Sequence, residues 1–194
     1  MPSPFEVRSR AELIRLCRLG MLPKYLFFWD HAPARDGSIG KTCLSQWYDA
    51  PFTIDHCRYP TAEHYMMACK ARLFGDVDNL KRILLASHPR EAKQLGRAVR
   101  NFNRSIWRQH AFEMVVQGNM AKFSQNPRLK AFLFSTGEAV LVEASPEDRL
   151  WGIGLSENDA DIDHPEVWPG ENLCGFAIME ARARLFPQKE TEVS

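Results

Sequence analysis

Glu63, Met67 and Lys70 stand at i, i+4 and i+7 in the segment running from Tyr59 to Lys70. At helical spacing they share one face, so a carboxylate and an ammonium can look into the same cavity and tune each other's charge. Pro60 marks the boundary and Thr61 is placed as the N-cap, which puts Glu63 in the first turn. An acid there also complements the helix dipole, so spacing alone leaves a structural and a chemical reading open. A second candidate is Asp148, just beyond the apolar stretch Leu141-Val142-Glu143 and a Ser145-Pro146 turn, and followed by Trp151, Gly152 and Gly154. Strand ends commonly present catalytic groups, and glycines let backbone N–H groups approach a ligand closely. Asp148 could equally cap the turn, and Trp151 could be core. Trp107 shares a helical face with Ala111, Met114, Gly118 and Ala121 inside an arginine-rich stretch. An aromatic beside arginines suits a base stacked over phosphates, and such a face also suits packing.

Other patterns fall away. Gly37-Ser38-Ile39-Gly40-Lys41-Thr42 imitates the end of a phosphate-binding loop, but Arg35 occupies the place of its first glycine. His56, Cys57 and Cys69 lack zinc-ligand spacing, and there is no Gly-x-Ser-x-Gly elbow. The five cysteines, Cys17, Cys43, Cys57, Cys69 and Cys174, are odd in number and form no Cys-x-x-Cys pair, which argues for reduced thiols.

Positioning these residues falls to one domain: 194 residues with 45% hydrophobic content can bury a sizeable core unaided. Neither a signal-peptide pattern nor a run of about 18 apolar residues occurs, so the chain is expected to be cytoplasmic and free of membranes. Apolar periodicity predicts helices over 10–19, 61–74, 104–124 and 172–186, with shorter ones near 76–87, 89–99 and 127–135. Strand-like runs are short: 25–29, 52–54, 58–59 and 139–143, enough for one small sheet. The expected class is therefore α+β, mainly helical. Segments 30–42 and 154–171 read as loops, residues 1–24 as a helical extension packed on a domain spanning 25–186, and 187–194 as a frayed tail. The net charge of +1 conceals an asymmetry. Residues 81–108 carry eight Lys or Arg against Glu91, whereas 136–171 carry ten Asp or Glu against Arg149. The first stretch can face phosphates and the second repels a long polyanion, which favours a pyrophosphate-sized ligand; both are also compatible with solvated faces.

In order along the chain, Phe28-Trp29, Ser45-Gln46-Trp47, Tyr59-Pro60-Thr61-Ala62-Glu63-His64-Tyr65-Met66 with Lys70, Gly96-Arg97, Trp107, Leu141-Val142-Glu143, Asp148, Trp151-Gly152-Ile153-Gly154-Leu155 and Trp168-Pro169-Gly170-Glu171-Asn172-Leu173-Cys174-Gly175 resemble the NADAR (YbiA-like) family of N-glycosidases over residues 25–186. The resemblance implies that family's fold and cleavage of a ribose–nitrogen bond; no cofactor is expected, and no metal, because the candidate ligands lack metal spacing and the carboxylates already have roles. By resemblance Glu63, Trp107 and Asp148 fall on the family's functional positions. Short members carry Lys and Arg in the last block, where this chain has Glu171 and Leu173.

Breaking the C1′–N bond builds an oxocarbenium-like sugar cation, so a carboxylate belongs beneath C1′. Either Glu63 or Asp148 would stabilise it and align a water, with the other supporting proton transfer. Lys70 would tune Glu63 or attack an opened ribose as a Schiff-base nucleophile. Trp107 would stack on the base and Arg97 would hold a phosphate. Ser45, Trp47, Tyr65, Trp151, Gly152, Gly154 and Asn172 complete the expected substrate contacts. Two substrates fit the resemblance: ADP-ribose on the guanine amino group of nucleic acid, and phosphoribosylamino-pyrimidine intermediates of riboflavin synthesis. The WGIGL-type block, the acidic loop and the basic segment favour the first. An ADP-ribosyltransferase is then the expected functional counterpart, and the chain is expected to act as a monomer. The rival of a different class is a non-catalytic module that binds NAD or ADP-ribose.

Overall fold

The computed structural model describes residues 6–187. The outermost parts of both expected terminal segments lie outside the described residues. Among the described residues seven α-helices and four short strands follow in the order α1 (Arg10–Arg18), β1 (Tyr25–Phe28), β2 (Phe52–Ile54), β3 (Cys57–Tyr59), α2 (Ala62–Leu73), α3 (Val77–Leu85), α4 (Pro89–Arg97), α5 (Arg104–Gln125), α6 (Pro127–Ser135), β4 (Val140–Glu143) and α7 (Leu173–Leu185). A 3₁₀ turn, Lys41–Leu44, interrupts the first loop.

The α+β class holds, but the strands form two separate pairs rather than one sheet. Strands β1 and β4 run parallel, with Tyr25 opposite Val140 and Phe28 opposite Glu143. They lie in a core cluster with Leu13 and Leu16 of α1, Leu133 of α6 and Phe176 of α7. Strands β2 and β3 form an antiparallel hairpin. Its two turn residues, Asp55 and His56, have φ of 49° and 61°, the paired positive values that a two-residue hairpin loop requires. This hairpin joins the second core cluster, which surrounds α2. Sequence runs alone do not say which strands pair, and here each pair serves a different cluster.

Helix α2 is the centre of that second cluster. Every residue from Ala62 to Cys69 is buried, including Glu63 and His64. A helix with no polar face must be enclosed on all sides, and α3, α4 and α5 pack around it. Its start is secured locally: Thr61 caps the His64 N–H, and the His64 ring bridges Thr61 Oγ1 at 2.8 Å and the Ala86 carbonyl at 3.1 Å. Since a carbonyl only accepts, Nε2 carries the proton and Nδ1 accepts from Thr61. His64 is therefore a structural histidine. Trp151 and Phe112 touch both clusters and mark the seam between them.

Candidate active site

A two-lobed cavity opens at that seam. The inner lobe, about 130 Å³, is lined by residues of α2, α4, α5, the end of β4 and the turn after it, among them Glu63, Lys70, Trp107, Glu143 and Asp148. The outer lobe, about 420 Å³, adds Trp29, His31 and Arg90. Ser45, Trp47, Lys93, Arg97, Glu143 and Asp148 border both lobes. Larger concavities of 500 and 570 Å³ lie elsewhere, but neither gathers acids and bases in this way. Glu63 and Asp148, 85 positions apart in sequence, thus converge on one cavity.

Glu63 is brought there by the first turn of α2, and its N–H donates to the Gln46 carbonyl at 2.9 Å. Only 2% of the residue is exposed, and Oε1 is buried without a hydrogen-bond partner. Burial is the main reason its carboxyl is pushed up to about 7, with Asp148 adding to the rise. Lys93, a hydrogen bond with Trp47 and Arg97 pull the other way. Desolvation winning over three favourable partners is the signature of a carboxyl in a low-dielectric pocket.

Asp148 caps its turn and also lines the cavity. Its Oδ1 accepts from the N–H groups of Leu150 and Trp151 at 3.0 and 2.8 Å, capping the turn. Its Oδ2 faces Lys93 Nζ at 3.8 Å. The turn that aims the acid is thus held by the acid itself.

The aromatic and cationic wall comes from α2, α4 and α5. Lys70 Nζ lies 4.1 Å from the Phe102 ring centroid and 5.7 Å from that of Trp107. Burial and Arg97 lower the Lys70 pKa, against a smaller opposing pull from Glu63. Lys93 is thus the cation with the larger hold on Glu63. Trp107 is 6% exposed, both core and lining. Arg90, Lys93 and Arg97, at i, i+3 and i+7 of α4, form one basic stripe on the cavity.

The loop bearing Ser45 and Trp47 is fixed from behind by α5. Gln46 and Asn119 exchange paired amide hydrogen bonds of 3.1 and 3.2 Å. Lys122, 0% exposed, donates to the Ser45 carbonyl at 2.7 Å, and burial draws its pKa down to about 8. Trp47 is flanked edge-on by His31 and His88, with centroids 5.5 and 6.1 Å away.

Of the expected site residues, Glu63, Lys70, Asp148, Trp107, Arg97, Ser45, Trp47 and Trp151 line the cavity. Tyr65, Gly152, Gly154 and Asn172 do not. Tyr65 packs against Tyr59 at 5.1 Å between centroids, on another side of α2. The Gly154 N–H is committed to the Ser145 carbonyl at 3.0 Å, and a Cβ on Gly152 would lie 2.9 Å from Ser145 Cβ. Both glycines therefore serve the close folding of the β4 turn. Asn172, in a left-handed conformation with φ of 56°, joins Glu143 N–H to the Leu141 carbonyl through its side-chain amide, at 2.9 Å each. The N–H groups of Glu171 to Cys174 go to carbonyls of residues 149–152, so the last sequence block braces the turn instead of facing a phosphate. Sequence reasoning passed over Glu143 and Lys93. Among the described residues no three or more His, Cys, Asp or Glu are grouped to hold a metal ion, and no helix is long and apolar enough to cross a membrane.

Residues 27–186 match the NADAR domain. The chain is similar to N-glycosidase R617 of Acanthamoeba polyphaga mimivirus, 46% identical over 165 residues covering 82% of this chain and 95% of that protein. It is 37% identical over 141 residues to the riboflavin biosynthesis protein PYRR, chloroplastic, of Zea mays, covering 68% of this chain and 20% of that longer protein. The NMR structure of Escherichia coli YbiA, named an N-glycosidase, superposes with a TM-score of 0.66 at 28% identity, covering 85% of this chain and 86% of that one. The chain belongs to the NADAR family and is, by class, a hydrolase of the N-glycosidase kind.

Proposed function

We propose that this N-glycosidase removes ADP-ribose from the guanine amino group of nucleic acid. The observation that carries the reading is a small inner lobe that holds Glu63 and Trp107, continuous with a larger outer lobe to which Arg90 is added beside the Lys93 and Arg97 that border both. A ribose and the edge of its leaving base suit the inner volume, while the outer lobe has room and charge for a pyrophosphate. A monophosphate would leave much of the outer lobe unused.

In this reading Glu63 sits beneath C1′ and its ionised form stabilises the sugar cation as the C1′–N bond breaks. Asp148 aligns the attacking water. Trp107 stacks on the leaving ring, and Lys70, held over that aromatic wall, contributes charge near Glu63. Trp47 and Ser45 shape the passage between the lobes.

Similarity to PYRR supports a second reading, hydrolysis of phosphoribosylamino-pyrimidines of riboflavin synthesis. Incubation of the purified protein with ADP-ribosylated guanine DNA, and separately with those intermediates, decides between them by product analysis. Release of ADP-ribose with restoration of unmodified guanine is expected. Release of base from the pyrimidine alone establishes the second reading, and binding of ADP-ribose without any turnover establishes a non-catalytic module.

A further inference from the structure

Glu143 ends β4 at the floor shared by both lobes. Its backbone is held at three points: opposite Phe28 in the parallel pair, through its N–H to Asn172 Oδ1 at 2.9 Å, and through its carbonyl from Ile153 N–H at 3.0 Å. The residue as a whole is partly buried, yet Oε2 is shut off from solvent and has no hydrogen-bond partner. An unpartnered buried carboxyl oxygen is costly. The contacts that fix the strand end are made by the Glu143 backbone, and its side chain adds only a hydrogen bond with the Cys174 thiol.

Its neighbours set it apart from the other two acids. Asp148 has Oδ1 committed to two N–H donors and Oδ2 facing Lys93. Glu63 has Lys93, Trp47 and Arg97 on the side of its anion. Against Glu143 stand Asp148 of the turn and Glu63 of α2, which oppose its ionisation; Lys93 of α4 and the thiol of Cys174 on α7 favour it. Burial prevails and pushes its carboxyl up to about 7.

We propose that Glu143 is a catalytic residue, the acid whose Oε2 protonates the leaving nitrogen as the C1′–N bond breaks. This rests on the N-glycosidase reading above. The bonding pair of C1′–N passes to nitrogen, which takes the Glu143 proton and leaves as the free amino group. Water then adds its oxygen to C1′ and gives a proton to Asp148, leaving a ribose hydroxyl. Proton exchange with solvent returns Glu143 to its acid form and Asp148 to its anion.

The test is Glu143→Gln, assayed on an ADP-ribosylated guanine oligonucleotide and on phosphoribosylamino-pyrimidine from pH 5 to 9, with melting followed in parallel. A group that must be protonated gives a rate that falls as pH rises through about 7. Gln cannot donate a proton to the leaving nitrogen, so kcat is expected to fall at least roughly a hundredfold, with KM within about threefold and the alkaline limb gone. The melting temperature should not fall. Parent kcat with the alkaline limb intact, or a change confined to KM, overturns the assignment. If the Gln variant does not fold, Glu143→Asp takes its place: a lower kcat with the limb retained supports the assignment, and parent kcat or a lost limb overturns it. Glu63→Gln is run alongside. If it abolishes turnover while Glu143→Gln does not, the inference fails alone; if the parent releases no base from either substrate, the underlying reading fails with it.

Discussion

Glu63→Gln should make the protein both inactive and more stable, a pairing that no structural acid produces. The carboxyl is raised from 4.5 to about 7 and is buried. At about 1.4 kcal/mol per pH unit, keeping it ionised in the folded state costs about 3 kcal/mol, an upper bound because the pocket can relax. The sign follows from where the proton goes. Below pH 4.5 the group is protonated folded or unfolded, and its ionisation costs nothing. From 4.5 to about 7 the folded chain holds a proton that the unfolded chain has lost, and stability declines. Above that value the cost is complete. Gln keeps the size and can still accept from Trp47, but never carries the charge. The gain in melting temperature should therefore be near zero at pH 4 and grow to several degrees at pH 8, since about 1 kcal/mol moves a chain of this size by roughly 2–4 °C. Turnover should drop roughly a hundredfold or more, because the sugar cation loses its counter-charge. Melting curves at both pH values, with product release measured by chromatography, read both effects. A variant that turns over at the parent rate, or that melts lower at pH 8 in the manner of a lost first-turn dipole contact, refutes the reasoning.

Trp107→Ala removes a buried ring that also lines the inner lobe; melting should fall and substrate binding should weaken by about 1–3 kcal/mol. Trp107→Phe should restore most of the melting temperature, and full restoration of KM as well would argue against stacking specific to the indole. Gly96→Ala would place a Cβ 1.9 Å from Met67 Sδ, forcing a cavity-lining thioether aside. KM should rise several-fold with kcat nearly kept, and Gly96→Ala combined with Met67→Ala should recover much of the loss if the two are coupled. Turnover should survive EDTA, because the proposed chemistry runs on carboxylates alone; loss in chelator restored by one divalent ion would demand another mechanism.

The helices were legible because their apolar periods and caps are local. Thr61 before Ala62-Glu63-His64 announces the α2 start, and the structure caps it there. Asp148 and Glu63 were legible as residues but not as neighbours, since that depends on how the two core clusters meet at Trp151. Glu143 was passed over because it reads as the polar end of an apolar strand, the place where an acid usually meets water. Lys93 was one of eight cations in a stretch that could equally be a solvated face; the i, i+3, i+7 relation to Arg90 and Arg97 was the signal available. Tyr65 and Asn172 show the opposite error. A motif fixes residue identity, whereas direction is fixed by packing: Tyr65 sits two positions past Glu63 on the helix, which is about 200° around it, and so turns away from the cavity.

The opposed charge blocks of the sequence meet in one cavity, with α4 supplying Arg90, Lys93 and Arg97, and β4 and its turn supplying Glu143, Glu147 and Asp148. A meeting of this kind does more than attract an anion. Cations facing the floor keep its acids from all taking up protons, while burial and mutual repulsion keep them from all ionising. With Glu63 and Glu143 both raised to about 7, the floor near neutral pH holds protons and negative charge together. Cleavage of a ribose–nitrogen bond asks for both at once, a proton for the departing nitrogen and a charge beneath the sugar. An acidic floor also repels a continuous phosphate track laid across it. A polynucleotide substrate would therefore have to present its modified base outward, with the backbone kept beyond the α4 wall.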